Sequence, residues 1–299
     1  MNATDPGGAR AAVFAVTLAL WIPAPAVFAA TPGGAYDLWV VDAVPSTPAQ
    51  NARSRATAGT AMPPTTASEP ARQMFGDGMA APVISLDAIS RSGAGPSTLR
   101  VLSIGADGTV MVSSGGGFPR RFDTLLPPGE LVALQRFILE QQRFAEIDGP
   151  ALAQQVGSVA DDAAIVVIRV NTDEGPHQVA LEALPDAAVL RPGIEPLQRL
   201  HAIYQALMRL VHVTIIGGEA ALAAAVAEVN AVLAREHPQA QPLGVDHLLE
   251  AHAVADGGVR LSLLRVDPPA DGQPGLRWYA EMHRPAIGQA QVRIWRRPG

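Results

Sequence analysis

The sequence predicts an α+β protein of two domains, each with helix packed on antiparallel sheet. Three observations predict it. Strand-like alternations and helical apolar stripes succeed one another without the strict β-α alternation of a parallel sheet. Asp107-Gly108 and Asp256-Gly257-Gly258 stand between alternating runs, as hairpin turns do. Glu219–His237 is an Ala/Leu/Glu-rich run with no breaker, the clearest helix in the chain. The 299 residues leave room for two domains of roughly 100–200 residues each.

The elements follow in order. After Arg10 comes the short apolar stretch "AAVFAVTLALWI", then Pro23, Pro25 and the small-residue site "VFA" ending at Ala29. These are the parts of a secretory signal, so residues 1–29 predict a cleaved signal peptide and a secreted or periplasmic protein. The stretch is shorter than the roughly 20 residues a membrane span needs, so no span is expected after cleavage. Residues 30–80 are rich in Pro, Ala and Thr and predict a disordered linker.

The first folded domain is expected over 81–210. "APVISLDAISRS" and "TLRVLSIGADGTVMVSS" alternate as strands, and "SSGGGFPRR" (Ser113–Arg121) reads as a loop. Leu131, Leu134, Phe137, Ile138 and Phe144 then recur at helical spacing behind Pro127 and Pro128. "AAIVVIRVNTDEGPHQVALEA" predicts two strands around a turn at Asn171–Pro176. Leu197, Leu200, Ile203, Tyr204 and Leu207 give one face of a helix.

The second domain is expected over 211–299 in the order β-α-β-β-β-β. "VHVTII" (Val211–Ile216) alternates like a strand and Gly217-Gly218 breaks it before the Ala-rich helix. Strands are predicted at Val245–Val254, Val259–Val266, Leu276–His283 and Gln291–Trp295. An amphipathic helix needs such a sheet to cover its apolar stripe.

Composition narrows function. All 22 basic residues are Arg, the net charge is -6 and no basic run occurs, which argues against nucleic acid as partner. The chain has no Cys, which excludes disulfides, thiolate metal sites and a cysteine nucleophile.

"DHLLEAHAVADGG" (Asp246–Gly258) places two histidines and a glutamate close together. His247 and His252 lie about 140° apart on a helix and on opposite faces of a strand, so neither geometry lets them share a metal. Asp246, His247 and Glu250 could ligate only on a helix, and the Asp-Gly-Gly turn favours a hairpin. No metal site and no cofactor is expected.

Catalytic residues are not expected either. Asp161 and Asp162 could form an acid/base pair, yet they read as solvated residues at a strand entry, with no third polar group at fixed spacing. Gly157-Ser158 lacks the glycines of a nucleophile elbow, and "SSGGGFPRR" lacks the order of a phosphate loop. His177 reads as solvated or locally bonded, and His201 as half-buried on its helix. Trp278, Tyr279 and Trp295 are expected to pack against the helix. Arg293, Arg296 and Arg297 read as a solvated strand face. Asn230, costly in a helix, is expected to bond a backbone group at a bend.

Two resemblances add to this reading. With "AVAEVN" (Ala225–Asn230), "PLGVDHLLEAHAVADGGVRLSL" and "WYAEMHRP" in that order, residues 211–297 resemble a cystatin. The resemblance implies one helix wrapped by an antiparallel sheet, and inhibition of papain-like cysteine proteases through a three-part wedge. Its first loop falls on Val254, Ala255, Asp256, Gly257 and Gly258, and its second on Arg284 and Pro285, followed by Ala286. Gly217 and Gly218 are the candidates for its N-terminal glycine, and both follow the first expected strand. A wedge tip entering a protease cleft would have to desolvate the carboxylate of Asp256, at a cost of several kcal/mol if unpaired. Residues 86–212 are similar to emfourin, an inhibitor of thermolysin-type metalloproteases, through "LPPGELVALQRFILEQQRFAEID", "DDAAIVVIRV", "HQVALEA" and "EPLQRLHAIYQALMR". Together these imply an exported, non-catalytic protease inhibitor. The alternative is a non-inhibitory binding or assembly module of the cell envelope.

Overall fold

In a computed structural model, the chain folds as mixed helix and antiparallel sheet. The described residues are 82–90, 97–114, 120–159, 163–172, 174–268 and 275–298, all within one compact unit, Tyr36–Gly299. The expected signal peptide and linker, and Asp161 and Asp162, lie outside them.

The first sheet has six strands in the order β4-β3-β2-β1-β5-β6. They are β1 (Ile84–Ser90), β2 (Ser97–Ile104), β3 (Thr109–Ser114), β4 (Arg120–Leu125), β5 (Ile165–Thr172) and β6 (Gly175–Glu182). Asp107 builds the β2–β3 turn by accepting from the Thr109 N–H at 2.9 Å. The expected loop at Ser113–Arg121 is corrected at both ends. Ser113 and Ser114 finish β3, and Arg120 and Arg121 begin β4, paired to them in register.

Helices α1 (Pro128–Arg136), α2 (Gly149–Val156), α3 (Leu184–Leu190), α4 (Glu195–Ile216) and α5 (Glu219–Glu236) complete the helical layer. After α1 the chain widens into a π-helical turn, Phe137–Gln141. Asp148 caps α2 by accepting from the Ala151 N–H at 3.0 Å.

The second sheet has four strands in the order β10-β9-β8-β7. They are β7 (Leu248–Ala253), β8 (Val259–Asp267), β9 (Leu276–Arg284) and β10 (Gln291–Pro298). Val245–His247 forms a single 3-10 turn ahead of β7, where strand was expected.

The expected strand Val211–Ile216 is helix, the last turns of α4. Its β-branched alternation matches a strand, but Val211, Val213, Thr214 and Ile215 are all buried in the core, and packing overrides propensity. The order of the second half is therefore α-β-β-β-β, and the expected boundary at 210/211 falls inside one continuous helix. Gly217 and Gly218, both at positive φ (105° and 99°), end α4 and turn the chain by 77° into α5. A side chain is strained in that backbone region, so the Gly-Gly pair is what lets two helices meet there.

α4 packs against β2, β3 and β4 of the first sheet and β7 and β8 of the second, while α5 covers β9 and β10. One contiguous apolar core runs from Ile84 and Leu102 through Leu200, Ile203 and Leu207 to Leu261, Leu263 and Met282. Among the described residues no single helix is long and apolar enough to cross a membrane.

Candidate functional site

Antiparallel order places the β7–β8 and β9–β10 connections at the same end of the second sheet, and they touch. In the first, the Gly257 N–H donates to Val254 at 3.0 Å and the Val254 N–H to Gly258 at 3.1 Å. Asp256 accepts from the Gly258 N–H at 2.8 Å, so its carboxylate holds its own turn. A Cβ on Gly258 would lie 2.3 Å from the Arg284 carbonyl oxygen and 2.7 Å from the Pro285 Cα. Only glycine allows so close an approach. A Cβ on Gly257 would make a tighter than usual but milder contact, 3.2 Å from the Ala286 Cβ.

Electrostatics lock the first loop further. His283 Nε2 lies 2.8 Å from Asp256 Oδ2, at ion-pair distance but without hydrogen-bond alignment. The Gly258 N–H first, and His283 as well, hold the Asp256 carboxyl below its ordinary range. The carboxylate expected to be unpaired thus has two partners. Arg120 of β4 donates from Nη1 to the Gly257 carbonyl at 2.7 Å and the Gly258 carbonyl at 3.3 Å. The second loop is anchored at its base, where Arg284 meets Glu228 of α5 at 2.7 Å. Beyond that base it is open, and Ile287 at its tip is 93% exposed.

Val254, Ala255, Asp256, Gly257, Gly258, Arg284 and Pro285 are therefore brought together. Gly217 and Gly218 are not among them. Glu219, next to them, shares the Arg209 guanidinium with the Val245 carbonyl, which accepts at 3.1 Å. Val245 stands ahead of β7, at the opposite end from the 254–258 turn.

Comparison with protein-family models and with curated proteins finds no match for this chain.

Other polar clusters close on themselves. His247 and His252 part company: the Gly244 N–H donates to His247 Nδ1 at 2.7 Å, while His252 pairs with Glu250 at 3.0 Å. The His252 contact, with help from Ser262, holds the Glu250 carboxyl below its ordinary range despite partial burial. Among the described residues no group of three His, Asp or Glu is placed to hold a metal ion. His212 on α4 sits against the edge of β7, where its Nδ1 accepts the Ala251 N–H at 3.1 Å. Burial pushes its pKa down to about 4, so the ring is neutral, as an accepting Nδ1 requires.

A cleft of about 470 Å³ opens beside Trp278, His237, Arg265, Asp267 and Arg296. Its buried charges are already used. Asp267 accepts from Arg265 Nε at 2.8 Å and from Trp278 Nε1 at 2.9 Å, and Arg265 also donates to the Gln241 and Pro242 carbonyls. This cluster fastens the segment after α5 to the sheet.

Of the remaining candidates, His177 Nε2 lies 3.2 Å from the Ile147 carbonyl, and Gly157 ends α2. His201 stacks on Tyr204, and burial lowers its pKa. Asn230 meets its expectation twice over, donating to the Leu243 carbonyl at 2.9 Å and accepting its N–H at 2.8 Å. Trp278 is buried as expected, but Tyr279 and Trp295 stack on each other on the opposite, outer face. Arg120 of β4, His283 of β9 and Ile287 are the residues at the paired loops that sequence reasoning missed. Arg120 comes from an element read as loop, and nothing in sequence links it to a turn 137 positions away.

Proposed function

We propose that this chain acts by binding a protein and not by catalysis, and that the paired loops 254–258 and 284–288 are its docking edge. One observation carries the reading. The two loops abut at backbone distance, with Gly258 under Arg284 and Pro285, and present an exposed Ile287 beyond a rigid base. An apolar side chain on a preorganised loop is a ready anchor for a partner's pocket, because little ordering cost remains. The resemblance of residues 211–297 to a cystatin, with one helix ahead of a four-stranded meander but without the expected first strand, supports a papain-like cysteine protease as that partner. Export, from the N-terminal signal, belongs to the same proposal.

The test is inhibition. The purified mature chain at micromolar concentration is expected to slow papain, and Ile287→Glu to abolish the effect. Thermolysin, assayed alongside, tests the resemblance of the first half to emfourin. No slowing of either enzyme sinks the inhibitor reading.

A specific observation favours a second reading. Arg120 already occupies the Gly257 and Gly258 carbonyls, and Gly217-Gly218 lie away from the loops. A wedge with its tip engaged and its third part elsewhere is better suited to a non-inhibitory binding module of the cell envelope. Recovery of an envelope protein by the wild-type chain, lost with Ile287→Glu and without protease inhibition, would favour it.

A further inference from the structure

The outer face of the second sheet is a different surface, and its register can be written rung by rung. Arg260, His283 and Gln291 form the first rung, and Ser262, Glu281 and Arg293 the second. Leu264, Tyr279 and Trp295 form the third, and Val266, Arg277 and Arg297 the fourth. The aromatic rings stack at 5.6 Å with planes 4° apart, and Arg297 lies over Tyr279 at 5.9 Å. Four arginines share this face with two glutamates: Glu281, 3.5 Å from Arg260, and Glu250 of β7, beside Ser262 and paired with His252. This is a cationic, aromatic face on a chain whose net charge is -6. Among the described residues neither Arg293 nor Arg297 makes an ion pair.

The two edges of this sheet differ. On β7, His212 takes up the Ala251 N–H, which blunts that edge. On β10, eight residues long, no bulge interrupts the pairing with β9, and among the described residues nothing pairs with its other side. An open strand edge asks for backbone donors and acceptors. A membrane surface or a phosphate polymer would meet the arginines and leave that edge unanswered. A second copy of this chain would bring the same four arginines against these, so like charges oppose it.

We infer that β10 accepts an extended acidic peptide as an added strand, its outward side chains matched to Arg293, Trp295 and Arg297. On an added strand the residues on one face recur every second position, about 6.6 Å apart. The peptide therefore carries acidic, apolar and acidic residues at i, i+2 and i+4, a pattern that reads the same in either direction. A dimple of about 80 Å³ between Arg260, Glu281, His283, Gln291 and Arg293 lies within reach of one further acidic side chain. The inference does not depend on protease binding, since Ile287→Glu disables the loop tip and leaves β10 intact.

The experiment uses the full mature chain and a fluorescent peptide containing Glu-Thr-Val-Thr-Glu, read by polarisation. Two isomers, N-methylated on alternate residues, blank the hydrogen bonds of one edge or the other. Binding is expected for the parent and for one isomer only, weakening with salt. Arg293→Glu with Arg297→Glu is expected to lower affinity at least about tenfold. Both residues are solvent-facing, and Arg293→Gln with Arg297→Gln provides the same reading should the double reversal unfold. Equal binding of both isomers, or of the charge-reversed chain, overturns strand addition. So does the absence of peptide binding, including a result in which anionic phospholipid vesicles or single-stranded DNA bind this face instead.

Discussion

The two sheets handle charge in opposite ways. On the first, Asp87 of β1 is almost fully buried and is held by Arg100 of β2 at 2.8 Å and by Arg169 of β5. The charges come from three adjacent strands, and two arginines answer the one buried carboxylate. On the second, the outer face holds four arginines beside two stacked aromatics, with two carboxylates, Glu250 and Glu281, among its rungs. A buried carboxylate met from both neighbouring strands ties those strands together, whereas Arg293 and Arg297 of the outer face make no ion pair among the described residues. The comparison teaches that an arginine's role is set by what stands across the strand from it, since both kinds lie in similar alternating runs.

The largest expected effect breaks the first sheet. Arg100→Met with Arg169→Met strands the Asp87 carboxylate and is expected to cost about 4 kcal/mol in urea unfolding. Adding Asp87→Leu should restore most of that loss, because apolar packing replaces the whole cluster. Failure of this rescue would mean that the cluster sets register as well as charge balance.

Next comes pH. His212 titrates near its ordinary value of 6.5 when unfolded and at about 4 when folded, so the unfolded chain binds the extra proton between them. The stabilisation is complete above pH 6.5 and is lost as pH falls towards 4. It amounts to about 3 kcal/mol. The stability of the wild type should fall by that amount relative to His212→Gln as pH falls through that window. A wild-type curve flat from 6.5 to 4, relative to the variant, would refute the assignment.

Asn230→Ala removes a matched pair of hydrogen bonds to Leu243 and should cost about 2 kcal/mol by thermal denaturation. The smallest effect sharpens the contrast from the other side. Trp295→Ala, on the outer face, should cost no more than about 1 kcal/mol while weakening peptide capture at β10. A larger stability loss would show that the aromatic pair supports the sheet itself.

Much of this fold was legible from periodicity. The hairpins at Asp107-Gly108 and Asp256–Gly258 and the stripe of Leu197, Leu200, Ile203 and Leu207 are local signals, and each forms as read. Val211–Ile216 misled because β-branched alternation imitates a strand when tertiary burial decides otherwise. The short helices α2 and α3 went unread because each spans barely two turns, too few for a period to show. For the candidate site, the adjacency of Gly258 to Pro285 and the clamp from Arg120 are long-range facts with no local trace. The outward stacking of Tyr279 and Trp295 depended on strand parity, which a single register step would have reversed.

A single rod, α4, leans on strands of both sheets before the Gly217-Gly218 elbow. Cutting the gene at codon 210 would shear that rod and leave each fragment with a raw apolar flank. Heating the intact protein should then loosen the sheets in concert, since neither can shed its share of the common axle without exposing the other.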